Sequence, residues 1–426
     1  MKYDLNDKPD WKAMLLYGIQ WFIVTLPAII IMGSVVAKLQ DNSAAFQIMY
    51  MQKMFIVAGA LTVLQVLAGH KLPLIIGPAA VLLISIVSSL SESVSAIYTS
   101  IAVGGLAIAV LAYFGIISKL QVLFTQRIIA VILILIAFTL LPTILNLIVG
   151  DGTNVWLNFI FAFLLLFGII ITNRLLKGIW KSTTVLLAIV AGSFAYFLVS
   201  GFPSKIETET TLSLNHILLP RFEFNIGVLL SFLFGFIALV INELGSVESV
   251  GYILKADQMK KRVKKGVALL GLSNILSGGI GIIGFVDYSL SAGVISSSGC
   301  ASRYTLIPAG IGLVLCALFP SAIGVFLLIP SVVMGVLLFY LMSMQLATGF
   351  SLLVSGQSVK SMSDGLTISL PLMVAVLISF APTEFRNAIP DIIRPVIANG
   401  FVMGTITVLL LEHVFFKKEN TPPTPQ

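Results

Sequence analysis

Apolar stretches of about twenty residues recur along this 426-residue chain from one end to the other, and nothing else in it narrows the choice of fold so far. A helix needs about 20 apolar residues to cross the hydrocarbon core of a bilayer. Read as helices, a first set of runs covers 13–37, 54–69, 72–90, 94–114, 128–149, 156–172 and 182–200. A second set covers 225–252, 266–283, 288–300, 304–319, 322–344, 364–381 and 391–416. The runs are continuous rather than alternating, which argues against a transmembrane barrel. Only 10% of the residues are charged, where a soluble protein carries about 25%, so no sizeable soluble domain is expected. The expected fold is an all-α polytopic membrane protein with fourteen transmembrane segments.

The formal net charge is +7, but the basic residues lie in short loops rather than in a patch suited to nucleic acid. Lys2, Lys8 and Lys12 precede the first run, Lys119 and Arg127 follow the fourth, and Arg174, Lys177 and Lys181 follow the sixth. Lys255, Lys260, Lys261, Arg262, Lys264 and Lys265 follow the eighth, Arg303 the tenth, and Lys417 and Lys418 the last. An even count puts all of them on one face, which the positive-inside rule makes cytoplasmic. Lys38, Lys53, Lys205, Arg221 and Arg386 fall in the opposite loops. The expected organisation is a cytoplasmic N-terminus (1–12), spans 1–7 (13–200), an extracytoplasmic loop (201–224), spans 8–14 (225–416) and a disordered cytoplasmic tail (417–426). The loop is expected to carry a short strand or helix. The cell (inner) membrane is the expected location. Cys300 and Cys316 read as small packing residues, and His70, His216 and His413 as interfacial.

Two runs are broken in corresponding places of the two sets. His70-Lys71-Leu-Pro73-Leu-Ile-Ile-Gly77-Pro78-Ala79-Ala80 opens the third span, and Gly278 through Ser289, with four glycines and Asp287, opens the tenth. Such a matched pair of interruptions points to an inverted-repeat transporter, because each break frees main-chain N–H and C=O groups near the midplane for a substrate.

Polar side chains cluster nearby. In Asn242-Glu243-Leu-Gly245-Ser246-Val-Glu248-Ser249, helical spacing puts Asn242, Ser246 and Ser249 on one face, with Glu243 turned about 100° away. Asn242 and Ser246 either line a cavity or hydrogen-bond between helices. Glu243 and Asp287 are the carboxylates nearest the breaks, able to carry a proton if buried; Asp287 can instead cap a half-helix starting near Tyr288, and Glu248 reads as a rim residue. The sequence has no metal-ligand spacing and no nucleophile-plus-base arrangement, so no metal, cofactor or enzymatic activity is expected.

In order along the chain, Gln20-Trp21, Leu72-Pro73-Leu-Ile-Ile-Gly77, Gly271-Leu-Ser-Asn-Ile-Leu-Ser-Gly-Gly-Ile-Gly281, Tyr288-Ser-Leu-Ser-Ala-Gly293, Gly299-Cys-Ala-Ser-Arg303-Tyr and Ile329-Pro330-Ser-Val-Val-Met334-Gly335 resemble the nucleobase–ascorbate transporter family, which includes xanthine and uracil permeases. The resemblance implies a seven-plus-seven inverted repeat with a core domain (spans 1–4 and 8–11) and a gate domain (spans 5–7 and 12–14). It also implies short strands before half-helices 3 and 10, with the substrate between the domains, and dimerisation through the gate. Carried onto this chain, the substrate-binding positions are Asn242, Glu243, Ser246, Ala80, Asp287, Tyr288, Ser289 and Leu290, with main-chain N–H groups of Ala80 and Leu290 as donors. Glu243 and Asp287 are the candidates for coupling to a proton or sodium ion. The chain departs from the family where a ring-binding Glu becomes Asn242, where Glu or Gln becomes Leu290, and where Trp21 stands in place of His. A rival register places the family Glu at Glu248-Ser-Val-Gly251. The expectation is a nucleobase:cation symporter; the alternatives are a small-anion transporter of the same fold and a membrane binding protein that does not transport.

Overall fold

The structure is a computed structural model that describes residues 2–41, 43–117, 125–150, 152, 154–177, 179–202, 221–390 and 392–416. It is built almost wholly of helices. The first set comprises α1 (Trp11–Gln40), α2 (Ala44–Leu67), the strand β1 (Ile75–Pro78), the half-helix α3 (Ala80–Ser88), α4 (Val94–Tyr113), α5 (Gln126–Thr139), α6 (Leu141–Val149), α7 (Val155–Leu175) and α8 (Thr184–Ser200). The second comprises α9 (Ile226–Ile253), α10 (Met259–Gly279), β2 (Phe285–Tyr288), the half-helix α11 (Ser291–Ser298), α12 (Leu306–Ala317), α13 (Pro320–Leu327), α14 (Ser331–Ser355), α15 (Met362–Ser379) and α16 (Gly400–Leu410). Among the described residues eight helices are long and apolar enough to cross a membrane, or nine if the pair 303–317 and 320–327, bent by 88°, is one span.

Two packing groups emerge. In one, α1–α4 interleave with α9–α12: α4 lies against α10, α2 against α12, and α9 against α3, α4 and β2. Glycines permit the closest of these contacts. A Cβ on Gly105 would lie 2.6 Å from the main-chain nitrogen of Ile275, and one on Gly271 would lie 2.6 Å from that of Ala109. In the other group α14 packs against α5, α6 and α7, and α15 against α5 and α16. Arg127 ties its helix ends together, reaching Asp364 at 2.7 Å, Glu412 at 2.8 Å and the Ser358 carbonyl at 3.0 Å.

Two boundaries differ from the sequence reading. The second helix starts at Ala44 and takes in Gln52 and Lys53, so Lys53 lies within a helix, not a loop. Its Nζ donates to the Ile280 carbonyl (2.9 Å) and Gln52 to the Ala317 carbonyl (2.9 Å), so both satisfy open C-terminal ends of neighbouring helices. The stretch read as one span over 322–344 is divided between α13 and α14. Pro330, which has no N–H to give, stands at the N-cap of α14. The loop expected over 201–224 falls largely outside the described residues, and the tail 417–426 entirely so.

Candidate functional site

At the centre of the first packing group β1 and β2 pair antiparallel, Ile75 opposite Tyr288, Ile76 opposite Asp287, Gly77 opposite Val286 and Pro78 opposite Phe285. Both strands are entered through left-handed turns, Lys71 with φ 58° and Gly281 with φ 73°. In an antiparallel pair the main chain of alternate residues points away from the partner strand. Deep in an apolar fold those outward groups need acceptors and donors that water cannot supply.

The polar residues of the apolar runs provide them. On β2, the Phe285 N–H donates to Asn274 Oδ1 (3.1 Å), while Asn274 Nδ2 donates to the Phe285 carbonyl (3.2 Å). Two residues on, the Asp287 N–H donates to Glu243 Oε2 (3.0 Å) and Ser246 Oγ donates to the Asp287 carbonyl (2.9 Å). On β1 the outward position 78 is a proline, which has no N–H to satisfy, and its carbonyl accepts from the Tyr288 hydroxyl at 2.6 Å. Gly77 is required here, since any Cβ would lie 2.7 Å from the Tyr288 ring. Ser291 Oγ accepts from the Ile75 N–H at 2.9 Å and closes the other end of the ribbon.

One group of side chains exceeds what the ribbon needs. Behind it, His70 Nε2 stands 3.1 Å from Asp287 Oδ2, and both side chains have no solvent exposure. The Glu243 side chain, also with none, adjoins Asp287. His70 was read from sequence as interfacial; it is instead one of the most enclosed residues of the fold. Its N–H donates to Gln65 Oε1 (3.3 Å), its Nδ1 accepts from the Leu72 N–H (2.9 Å), and Arg262 grips its carbonyl (3.0 Å) and that of Lys71 (3.1 Å). An arginine, a glutamine and a left-handed turn thus fold the interrupted segment back into the core, where a histidine next to a lysine reads locally as a membrane boundary.

The expected site residues divide accordingly. Glu243, Ser246 and Asp287 come together behind the ribbon, and Asp287 serves β2 rather than capping the half-helix, which starts at Ser291. Asn242 and Ala80 are half-buried, Tyr288 is half-buried with its hydroxyl held, and Ser289 and Leu290 are exposed at the turn into α11. Ser246 therefore shares a buried face with Glu243, whereas Gly245, Glu248 and Ser249 occupy the exposed side of α9. Trp21 is core: its Nε1 donates to Thr305 Oγ1 at 3.0 Å. A separate cavity of about 540 Å³ lies between the two packing groups at the C-terminal end of α1, lined by Lys38, Arg386 and Arg394 together with Ser88, Asn146 and Asn387. Among the described residues no group of three or more His, Cys, Asp or Glu side chains could hold a metal ion.

A helical membrane fold whose centre is a pair of broken, strand-linked half-helices defines a transporter of the inverted-repeat class. The match to solved structures agrees on the fold: the transmembrane domain of the cyanobacterial bicarbonate transporter BicA superposes with a TM-score of 0.65 at 14% identity, covering 88% of this chain and 98% of that one. Murine Slc26a9, an anion transporter, gives 0.60 at 12% identity over 96% of this chain and 69% of its own. Residues 12–384 match the xanthine–uracil model described as a permease family, and the chain belongs to that family. Relatives include a nucleobase transporter of Paenibacillus larvae, 26% identical over 75% of this chain and 74% of its own, and the uric acid permease PucJ of Bacillus subtilis, 26% identical over 86% and 85%. The Bacillus subtilis xanthine permease is 23% identical over 94% and 93%. The chain is a membrane permease and not an enzyme.

Proposed function

We propose that this permease imports a nucleobase or related planar heterocycle, of the xanthine, purine or uracil type, by proton symport with alternating access. The family match and the named activities of the relatives support the substrate class. The observation that carries the coupling is the excess of ionisable groups behind β2. An amide at position 243 would accept the Asp287 N–H equally well. Two carboxylates in contact at zero exposure cost several kcal/mol if both are ionised, so the pair is suited to hold one proton and to release it when the core moves.

On the open side, Asn242, Ser289, Tyr288 and the main-chain donors at Ala80 and Leu290 are assigned to the ring. An amide and N–H groups recognise the acceptors and donors of a base edge without a carboxylate, consistent with Leu290 standing where relatives of the family carry Glu or Gln. Fourteen crossings, counting α3 and α11 as spans, with both termini cytoplasmic, belong to the same proposal. So does a homodimer through the group formed by α5–α8 and α14–α16.

Uptake of labelled uracil, xanthine, adenine, guanine and urate into cells expressing the protein, with and without a protonophore and with sodium replaced by choline, is the direct test. Protonophore-sensitive, sodium-independent accumulation of at least one base is expected; no uptake of any of them contradicts the proposal. The basic lining of the cavity at Lys38, Arg386 and Arg394 favours a second reading, transport of a small anion, and bicarbonate or sulfate uptake in the same cells separates the two.

A further inference from the structure

In a polytopic membrane protein, lysine and arginine gather in the cytoplasmic loops, so those at the other face call for a reason. Lys53 has one in the Ile280 carbonyl. Lys38, Arg386 and Arg394 meet on the wall of the cavity of about 540 Å³ at the C-terminal end of α1. They come from three separate elements. Lys38 lies in the last turn of α1, Arg386 in the short helix Thr383–Ala388 and Arg394 at the start of the turn Arg394–Ile397, both between α15 and α16.

Part of this charge serves the fold. A cation in the last turn of α1 complements the helix dipole. Arg386 donates to the Ser379 carbonyl (3.0 Å), and Arg394 to the carbonyls of Arg386 (3.1 Å) and Ile389 (3.0 Å). That does not exhaust it. The Arg386 Nε–H is buried with no hydrogen-bond partner, a costly state for a charged donor and one that a bound anion relieves. Hydroxyl and amide groups of Ser88, Ser91, Asn146 and Asn387 complete the polar wall, and no described residue lining it is a carboxylate.

Size and lining favour a ring over an inorganic ion. The volume of about 540 Å³ falls among small-molecule pockets of about 300–1,000 Å³. Val35, Val87, Leu147 and Ala398 set apolar patches beside the polar groups, the combination that a flat heterocycle with a charged edge requires. The half-helix α3 joins this cavity to the ribbon, running nine residues from Ala80, next to β1, to Ser88 on the cavity wall. That is about 12 Å of helix. Lys38 and Ser88 belong to one packing group and Asn146 to the other, so the cavity lies on the line along which the two groups part.

We propose that this cavity is an entry site that takes the heterocyclic substrate as its anion, an oxopurine that has lost a ring proton, with Lys38, Arg386 and Arg394 supplying the opposite charge. In the topology proposed above it opens on the outer face, before the ribbon. No bond is made or broken there. The positive wall raises the local concentration of the anion and its rate of arrival, and a neutral base gains nothing from it. This inference rests on the nucleobase-permease reading above and adds the ionic form that is favoured and the place where it is first held.

The test compares charged with neutral substrates in one preparation. Cells expressing the protein are assayed at neutral pH for initial uptake of labelled urate, a monoanion, and of adenine, guanine and uracil, which are neutral. Lys38→Gln and Arg394→Gln each remove a charge, and Lys38→Arg and Arg394→Lys keep it. The quantity read is the KM for urate divided by the KM for the neutral base taken up fastest, a ratio that a general loss of folded protein does not move. It is expected to rise about five- to tenfold in each neutralising variant and to stay within about twofold of the parent in each charge-keeping one. Added salt should raise the urate KM of the parent by screening the same charges. An unchanged ratio in Lys38→Gln and Arg394→Gln overturns the site, and so does a parent that takes up a neutral base but not urate. Competition by bicarbonate or sulfate as strong as that by unlabelled urate also overturns it, since it makes the cavity an inorganic-anion site. Absence of uptake of every base refutes the permease reading itself, which is a different result.

Discussion

At position 243 a glutamine could accept the Asp287 N–H as the glutamate does, but it could not carry a proton. That difference makes Glu243→Gln a clean separation of the structural bond from the coupling. Accumulation is expected to fall from many-fold to an inside-to-outside ratio of about 1, the limit for a carrier with no driving ion. Counterflow exchange should stay within about threefold of the parent, and accumulation at the parental level would move the proton elsewhere. Sequence spacing singled out Glu243 and Asp287, because a charged residue in an apolar run needs an explanation, and the structure brings the two together. It did not show which side of α9 meets the strand. Periodicity fixes which residues share a face but not what the face looks at, so Ser246 was grouped with Asn242 instead of with Glu243. His70 escaped altogether, since its partner Asp287 lies in the other half of the chain and only the pairing of β1 with β2 brings them together.

Among the elements, the ribbon depends on helices that are not part of it. Asn274 on α10 holds both main-chain groups of Phe285. Asn274→Leu leaves a buried N–H and C=O unsatisfied and should lower stability by about 2–4 kcal/mol. The loss is visible as a reduced melting temperature in detergent, and added purine should recover less of it than in the parent. Unchanged melting would show that the strand edge finds other partners. The interruptions themselves were legible, because Pro73, Gly77, Pro78, Gly278, Gly279, Gly281 and Gly284 stand out in apolar sequence. The start of α2 was not: Gln52 and Lys53 look like a loop until the open ends of α10 and α12 that they cap are in view.

Across the whole molecule, the apolar runs were enough to give a helical membrane fold, and the matched breaks gave its transporter character. The two packing groups follow from the close α4–α10 and α2–α12 contacts on one side and the α14-centred bundle on the other. The functional claim is that the first group carries a base on its open side and a proton behind the ribbon, so that one movement transfers both. Simultaneous flux tests it most directly. The purified protein is placed in liposomes containing a trapped pH dye, with potassium and valinomycin clamping the voltage, and purine is added outside. The account predicts that the lumen acidifies as purine enters, in a fixed ratio to it, and that Glu243→Gln abolishes the acidification while exchange continues. Purine entry with no acidification in the parent protein, or equal acidification in the variant, would contradict it.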